Sequence, residues 1–444
     1  MLRAIEDYVR SLGLDAYLVG GAVRDELLGL ESKDADFLVP GVDTEALRAK
    51  LEPHGRAEDL VVADRLVGIR LHPRDPDVRG LAPAGIEFAP PRKEVSTGPG
   101  RHDFEIVADA TLSVEDDMRR RDFTVNAMAR RLEDGTIVDP LDGKADLERR
   151  ILRSVSPTSF AEDPLRLVRG LRFVSQLGFE LDEQTRAQMV EEAPAVRLVS
   201  GERIGGGLAA DGMGELSKLL LGARPAEALA VARDTGVLVE LIPEFGPARH
   251  LSDHIFAVVQ ETAEAGDDLA VRLAALFHDL GKPVDRDPLG HARVGAQIAR
   301  DTLRRLRYPE RLARRVVALV REHPYRAEDR ATTPREARRF LLQHGDELAF
   351  DLIAHRFADL RAKDRDVSGL LEMRALLEQE FASPHRLGDL AVDGEDLIAI
   401  GFQPGPDLGR ALQELLELVV DDPSMNDRER LLEHAKVEGW PASR

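Results

Sequence analysis

Two carboxylates one residue apart, Asp34 and Asp36, stand in the run Lys33-Asp34-Ala35-Asp36-Phe37-Leu38-Val39. On a strand, residues i and i+2 face the same side, so the two project together. Ionised carboxylates side by side repel and need a cation or a shared proton to coexist. Hard oxygen donors of this kind suit Mg²⁺ bridged to phosphates, whereas an isolated Asp-x-Asp is usually a solvated pair in a turn. Its neighbours favour the first reading. Upstream, Tyr17-Leu18-Val19-Gly20-Gly21-Ala22-Val23-Arg24-Asp25 leads from an apolar strand through two glycines into a helical pattern. Backbone N–H groups at a strand–turn–helix junction suit a phosphate, and Arg24 adds a charged donor.

Arg119-Arg120-Arg121-Asp122-Phe123-Thr124-Val125-Asn126 sets three arginines beside an apolar run, a pattern able to clamp a polyphosphate. Further on, Glu162-Asp163-Pro164-Leu165-Arg166 opens a helix with Pro164 in its first turn. Asp163, Arg166, Arg169 and Arg172 recur every three residues as a slowly drifting stripe, while Leu165, Val168, Leu171 and Phe173 can face a core. One carboxylate with one guanidinium, Asp163 with Arg166, matches the donors and acceptors on a base edge. The same spacing also describes an ordinary amphipathic helix laced with ion pairs.

A second constellation follows. Ser252-Asp253-His254 precedes Leu276-Phe277-His278-Asp279-Leu280-Gly281-Lys282, and then come His291, His323 and Asp359. His278 and Asp279 stand in an apolar helical context, where unpaired polar groups are costly to bury. Imidazole and carboxylate donors together suit Mn²⁺, Fe²⁺, Ni²⁺ or Zn²⁺.

The elements that must position these groups are legible in outline. Short β-rich runs at Ala16–Val19, Ala35–Val39, Leu66–Leu71 and Ile86–Ala89 lie among helices in roughly the first 150 residues, and apolar spacing is helical thereafter. The expected class is α+β, a small mixed sheet followed by helices. The N-terminus reads as an amphipathic helix, and candidate seams are Gly201–Gly214, the segment around Pro243, and Ser383–Leu390. Ser96-Thr97-Gly98-Pro99-Gly100 reads as a mobile loop. At 444 residues the chain should hold several domains. The absence of cysteine excludes disulfides and thiolate-ligated metals. No run approaches the roughly 18 apolar residues of a membrane span, so a soluble cytoplasmic protein is expected.

A net charge of −20 argues against nucleic acid unless positive charge is local. Aromatics are only 5% of residues, so extensive base-stacking platforms are not expected. Ten arginines between Arg293 and Arg326, against Asp301, Glu310 and Glu322, are either a phosphate-binding surface or a solvated helical face.

In this order the motifs resemble the class II tRNA nucleotidyltransferases, the CCA-adding enzymes and bacterial poly(A) polymerases. The match runs through Gly20-Gly21-Ala-Val-Arg24-Asp25, Asp34-x-Asp36, Arg120-Arg121-Asp122-Phe-Thr-Val-Asn126, Asp139-Pro140-Leu-Asp-Gly143 and Glu162-Asp163-Pro-Leu-Arg166-x-x-Arg169-x-x-Arg172. It continues through Ser200-Gly-Glu202-Arg203-Ile204 to Leu390–Leu397 and Met425-Asn426. It departs at the glycine-rich run Gly205–Gly214, where a continuous helix is usual. The later set resembles the HD phosphohydrolase pattern, with His254, His278, Asp279 and Asp359 as core ligands and His291 and His323 completing a two-metal site.

The resemblance implies a polymerase-β-like head (1–150), a helical neck that recognises bases and RNA (151–245), an HD body (246–365) and a helical tail (366–444). It implies that Asp34 and Asp36 hold catalytic Mg²⁺, with Glu87 either a third carboxylate or a surface strand residue. Gly21, Arg24 and Arg121 would hold the triphosphate, Asp163 and Arg166 would read the base, and Gly20, Asn126, Arg169 and Arg172 would belong to the same nucleotide-binding set. The implied reaction is CTP- and ATP-dependent completion of the tRNA 3′-CCA. Poly(A) addition, or addition of only CC or only A, stands beside it. The long Glu87–Arg120 segment, with room for a flexible loop, favours full CCA addition. From another class, the HD centre would make the chain a phosphohydrolase of 2′,3′-cyclic or 3′ phosphates. An inert RNA-binding scaffold is disfavoured because every charged motif residue is present. The oligomeric state is left open.

Overall fold

The structure, a computed structural model, describes residues 2–31, 35–62, 65–96, 104–206, 213–325 and 333–437. Asp34, residues 97–100 of the expected mobile loop, most of the glycine-rich run and Arg326 lie outside those residues. The chain forms two compact units that divide between Pro243 and Glu244, in the seam expected around Pro243.

The first unit is built on β1 (Tyr17–Val19), β2 (Asp36–Leu38), β3 (Gly55–Val62), β4 (Arg65–Pro73), β5 (Ile86–Ala89), β6 (Arg92–Ser96), β7 (Phe104–Ala108), β8 (Ala129–Arg131) and β9 (Ile137–Val138). Seven of them form one sheet in the order β3-β4-β5-β2-β1-β8-β9, while β6 and β7 make a separate hairpin. Within the sheet, β2 and β5 run parallel with Asp36 opposite Glu87. Alternation then divides the faces. The Phe37 and Phe88 rings stack with centroids 5.6 Å apart, which leaves Asp36 and Glu87 together on the other side. The strands expected at β1, β2, β4 and β5 form; β3 and the hairpin come from mixed runs without clear alternation.

A helix at Leu165–Leu177 holds the rest of the site and ends at Gly178, whose φ of +65° lets the chain leave by a left-handed turn. Gly170 lies on its packed side, where a β-carbon would come within 2.9 Å of the Phe123 ring. Phe123 in turn meets Phe173 edge-on at 5.8 Å. This contact fixes the arginine turn at residues 119–126 against the helix. The helix Gly201–Ile204 stops at Gly205, and the next, Glu215–Leu220, starts after Gly214, so the glycine-rich run does interrupt the helical body.

The second unit is helical among the described residues. Leu269–Phe277 is buried from Ala270 to Phe277, and apart from Arg272 every one of its side chains is apolar. Around it pack Ser252–Glu264, Glu310–Glu322, Asp346–Arg361 and Pro288–Arg305. The C-terminal helices close on a smaller core of Val392, Leu397, Leu415, Val419 and Leu431. No helix among the described residues is long and apolar enough to cross a membrane.

Candidate active site

A cleft of about 860 Å³ in the first unit gathers the groups singled out from sequence: Gly20, Gly21, Arg24, Asp36, Glu87, Arg121, Asn126, Asp163, Arg166, Arg169 and Arg172. Its described lining includes nine cationic side chains and five carboxylates, so the local field opposes the net charge of the chain. That is the local positive charge an anionic substrate requires.

The arginines are held by a few carboxylates and one amide, some of them shared. Asp117, fully buried, accepts from Arg120 at 2.7 Å and from Arg121 at 3.1 Å. Burial pushes its carboxyl up, but the two guanidiniums outweigh burial and hold it below the ordinary range. Asn126 links two groups, accepting from Arg24 at 2.7 Å and donating to Asp122 at 3.1 Å. Asp122 also accepts from Arg169 at 2.6 Å; burial pushes its carboxyl up, yet Arg169 and the other donors depress it strongly. Arg172 pairs with Glu215 at 3.2 Å and lies 4.4 Å from the centroid of Phe173, near which Arg24 and Arg169 also gather.

The stripe expected along residues 163–172 is therefore divided in its contacts. Asp163 precedes the helix, accepts from the Leu165 N–H at 3.1 Å, and takes both arms of Arg203 at 2.9 and 3.3 Å. Arg166 is buried and donates to the Arg120 carbonyl at 2.8 Å and to Ser159 Oγ at 3.0 Å. Glu87, beside Asp36, accepts from Arg70 at 2.5 Å.

Gly20 is required twice over. Its φ is +71°, and a β-carbon there would sit 2.6 Å from a guanidinium nitrogen of Arg121. Gly20→Ala should cost about 1–3 kcal/mol of stability through backbone strain. It should also displace Arg121 and raise the KM for nucleotide, both visible in a urea melt and in steady-state kinetics. Wild-type values in both would dissociate this turn from the site.

The second unit assembles the other constellation into two groups, His254/His278/Asp359 and Asp279/His291/His323, with donor atoms within 4.8 Å of one another in each. The donor chemistry fits a metal. His278, His291 and His323 each set Nδ1 against a backbone carbonyl, of Ala275 at 2.8 Å, Asp287 at 3.0 Å and Val320 at 2.7 Å. That contact fixes the ring and leaves Nε2 as the atom that could ligate a metal, the usual arrangement at metal-bound imidazoles. Burial, with His278 nearby, lowers His323 to about 3, and burial also lowers His291, so both are neutral near pH 7. His254 Nε2 lies 3.1 Å from Asp359, and Lys282 and Lys363 each approach a carboxylate, Asp279 and Asp359, at 2.6 Å. Of the described arginines between Arg293 and Arg321, Arg315 is bound to Asp351 at 2.6 Å, whereas the other eight are exposed.

Sequence reasoning missed Asp117, Arg70, Glu215 and His355, and did not give Arg203 a role. Asp117 had a signal, standing three and four residues before Arg120 and Arg121. His355 stands one helical turn before Asp359.

Comparison with known proteins agrees with this arrangement. Residues 16–153 match the poly A polymerase head domain, 178–248 the probable RNA and SrmB- binding site of polymerase A, and 251–363 the HD domain. The chain is 37% identical over 340 residues to the multifunctional CCA protein of Ralstonia nicotianae, covering 70% of this chain and 72% of that one. It is 38% identical over 331 residues to that of Neisseria gonorrhoeae, covering 70% and 74%. The CCA-adding enzyme of Bacillus stearothermophilus in complex with CTP superposes with a TM-score of 0.74 at 27% identity, over 98% of this chain and 96% of that one. The Thermotoga maritima CCA-adding enzyme complexed with tRNA shares the fold, with a TM-score of 0.62 at 20% identity over 98% and 94%. The chain belongs to the class II tRNA nucleotidyltransferases, the family of the CCA-adding enzymes, and carries an HD domain C-terminal to its transferase head.

Proposed function

We propose that the chain completes or repairs the 3′-terminal CCA of tRNA from CTP and ATP, releasing pyrophosphate. The observation that carries this is the cleft in which the Asp36/Glu87 carboxylate pair faces a cluster of restrained arginines. Arg121, oriented by Asp117, and Arg24, oriented by Asn126, are suited to hold the triphosphate beside Gly20 and Gly21. Asp163, oriented by Arg203, presents its carboxylate to the base, and Arg166 supports the site by gripping the Arg120 carbonyl. Mg²⁺ held by Asp34 and Asp36, with Glu87 as third carboxylate, would activate the RNA 3′-hydroxyl and support the leaving pyrophosphate. The exposed arginines of Pro288–Arg305 and Glu310–Glu322 offer a further surface for an RNA backbone. A head, neck, HD body and tail at 1–150, 151–245, 246–365 and 366–444, and a cytoplasmic location, go with this reading.

The test is to incubate the protein with tRNA lacking CCA, tRNA ending in CC, and poly(A), supplying each nucleotide separately. Addition of two C and one A to the first substrate supports the reading. A-tailing of poly(A), or arrest after CC, favours the narrower activities.

Asp163→Ala should blur nucleotide choice more than it slows addition. Leaving the base without its carboxylate acceptor costs about 1–3 kcal/mol, or about ten- to hundredfold in discrimination. Parallel incorporation of CTP, ATP, UTP and GTP measures it; unchanged relative preferences would make Asp163 a structural partner of Arg203.

A second activity, metal-dependent phosphohydrolysis in the HD unit, is favoured by the anchored imidazoles and the two carboxylates. Ni²⁺, Mn²⁺, Fe²⁺ or Zn²⁺ suits that donor set better than Mg²⁺.

A further inference from the structure

The HD constellation contains one imidazole that none of the motifs assigns. His355 lies on the helix Asp346–Arg361, four residues before Asp359, so the two side chains leave the same face. It is 1% exposed, and among the described residues its Nε2 has no hydrogen-bond partner. Its ring centroid is 5.1 Å from that of His278 and 5.8 Å from that of His323, one histidine from each donor group. A buried polar nitrogen left unpaired is destabilising relative to one that is satisfied. A leucine would occupy the same buried helix face, which also carries Leu352 and Ala358, without that cost. The position therefore calls for a ligand to the nitrogen.

We propose that His355 is a further protein ligand of the HD centre, contributing Nε2 between the groups headed by His278 and His323 and biasing the centre towards a divalent transition metal. With it the donor set holds five imidazoles and two carboxylates, a balance that suits Ni²⁺, Co²⁺, Fe²⁺ or Zn²⁺ over Mg²⁺. The inference rests on the reading of this unit as a metal centre.

The test uses the full chain, stripped with chelator and titrated with Ni²⁺ by calorimetry and with Co²⁺ by visible absorption, alongside His355→Leu, His355→Gln and His278→Ala. His355→Leu should melt at or above the temperature of the metal-free wild type, because it removes the orphaned nitrogen. It should bind Ni²⁺ about 10- to 100-fold more weakly, with a changed Co²⁺ spectrum. If the leucine variant does not fold, His355→Gln carries the same expectation of weakened binding. Both variants should keep CTP incorporation, which belongs to the other unit. Wild-type Ni²⁺ affinity and spectrum in either variant, with His278→Ala losing both, would remove His355 from the ligands and leave the centre standing. A wild-type protein that binds neither metal would overturn the centre and the inference together.

Discussion

Asp36→Ala should lower CTP incorporation into tRNA lacking CCA by at least about a thousandfold while leaving tRNA affinity within about twofold of wild type. Loss of one ligand from a two-metal site removes several kcal/mol of charge stabilisation from the transition state, and each ~1.4 kcal/mol is tenfold in rate. RNA affinity should be spared, because the cleft's attraction for phosphate comes from arginines bound to other carboxylates: Arg121 to Asp117, Arg169 to Asp122 and Arg172 to Glu215. Asp34→Ala should behave alike. Glu87 provides the internal contrast, since its Arg70 partner gives it a structural role as well. Single-turnover incorporation and a gel-shift titration separate the two quantities. Near-wild-type turnover in Asp36→Ala would remove the carboxylate pair from the chemistry, whatever the fold.

The sequence carried the site further than its supports. Residues that approach substrate lie in short ordered motifs, and a strand–glycine–helix run or an Asp-x-Asp has a local geometry that spacing alone conveys. The groups holding them do not. Arg70 reaches Glu87 across seventeen positions, and Glu215 meets Arg172 across forty-three, because a sheet register and a helix packing bring them together. Arg166 shows the same limit from the other side: its spacing assigned it to the stripe, while the fold buries its guanidinium under the Arg120 carbonyl. Among the strands, β1 and β2 are apolar runs bounded by turns, whereas β3 spells Gly-Arg-Ala-Glu-Asp-Leu-Val-Val and is fixed by pairing with β4. His355 was overlooked because a single histidine on a helix of mixed polar and apolar residues has no motif of its own; only its distance to His278 gives it meaning.

His278→Ala combined with Asp279→Ala should empty the HD unit of transition metal and abolish hydrolysis of a generic phosphodiester, leaving nucleotide addition within about twofold of wild type. The independence follows from the division of the chain: Asp36 and its arginines lie in the unit ending at Pro243, His278 and Asp279 in the unit that follows. The metal responses should separate in the same way. Hydrolysis should respond to Ni²⁺ or Mn²⁺, which suit an imidazole-rich set, and CTP incorporation to Mg²⁺, which suits carboxylates and phosphates. Stability offers a further check. His278 and Asp279 are 2% and 1% exposed, and Asp279 is bound to Lys282, so removing both leaves a small cavity and an unpaired lysine. Core truncations of that size usually cost about 1–3 kcal/mol, which should lower the melting temperature of the second unit but not unfold the first. If nucleotide addition and stability instead fall together, and the purified wild type contains no transition metal by elemental analysis, the two residues serve packing. The phosphohydrolase would then be lost and the transferase would stand on the carboxylates and arginines of the first unit.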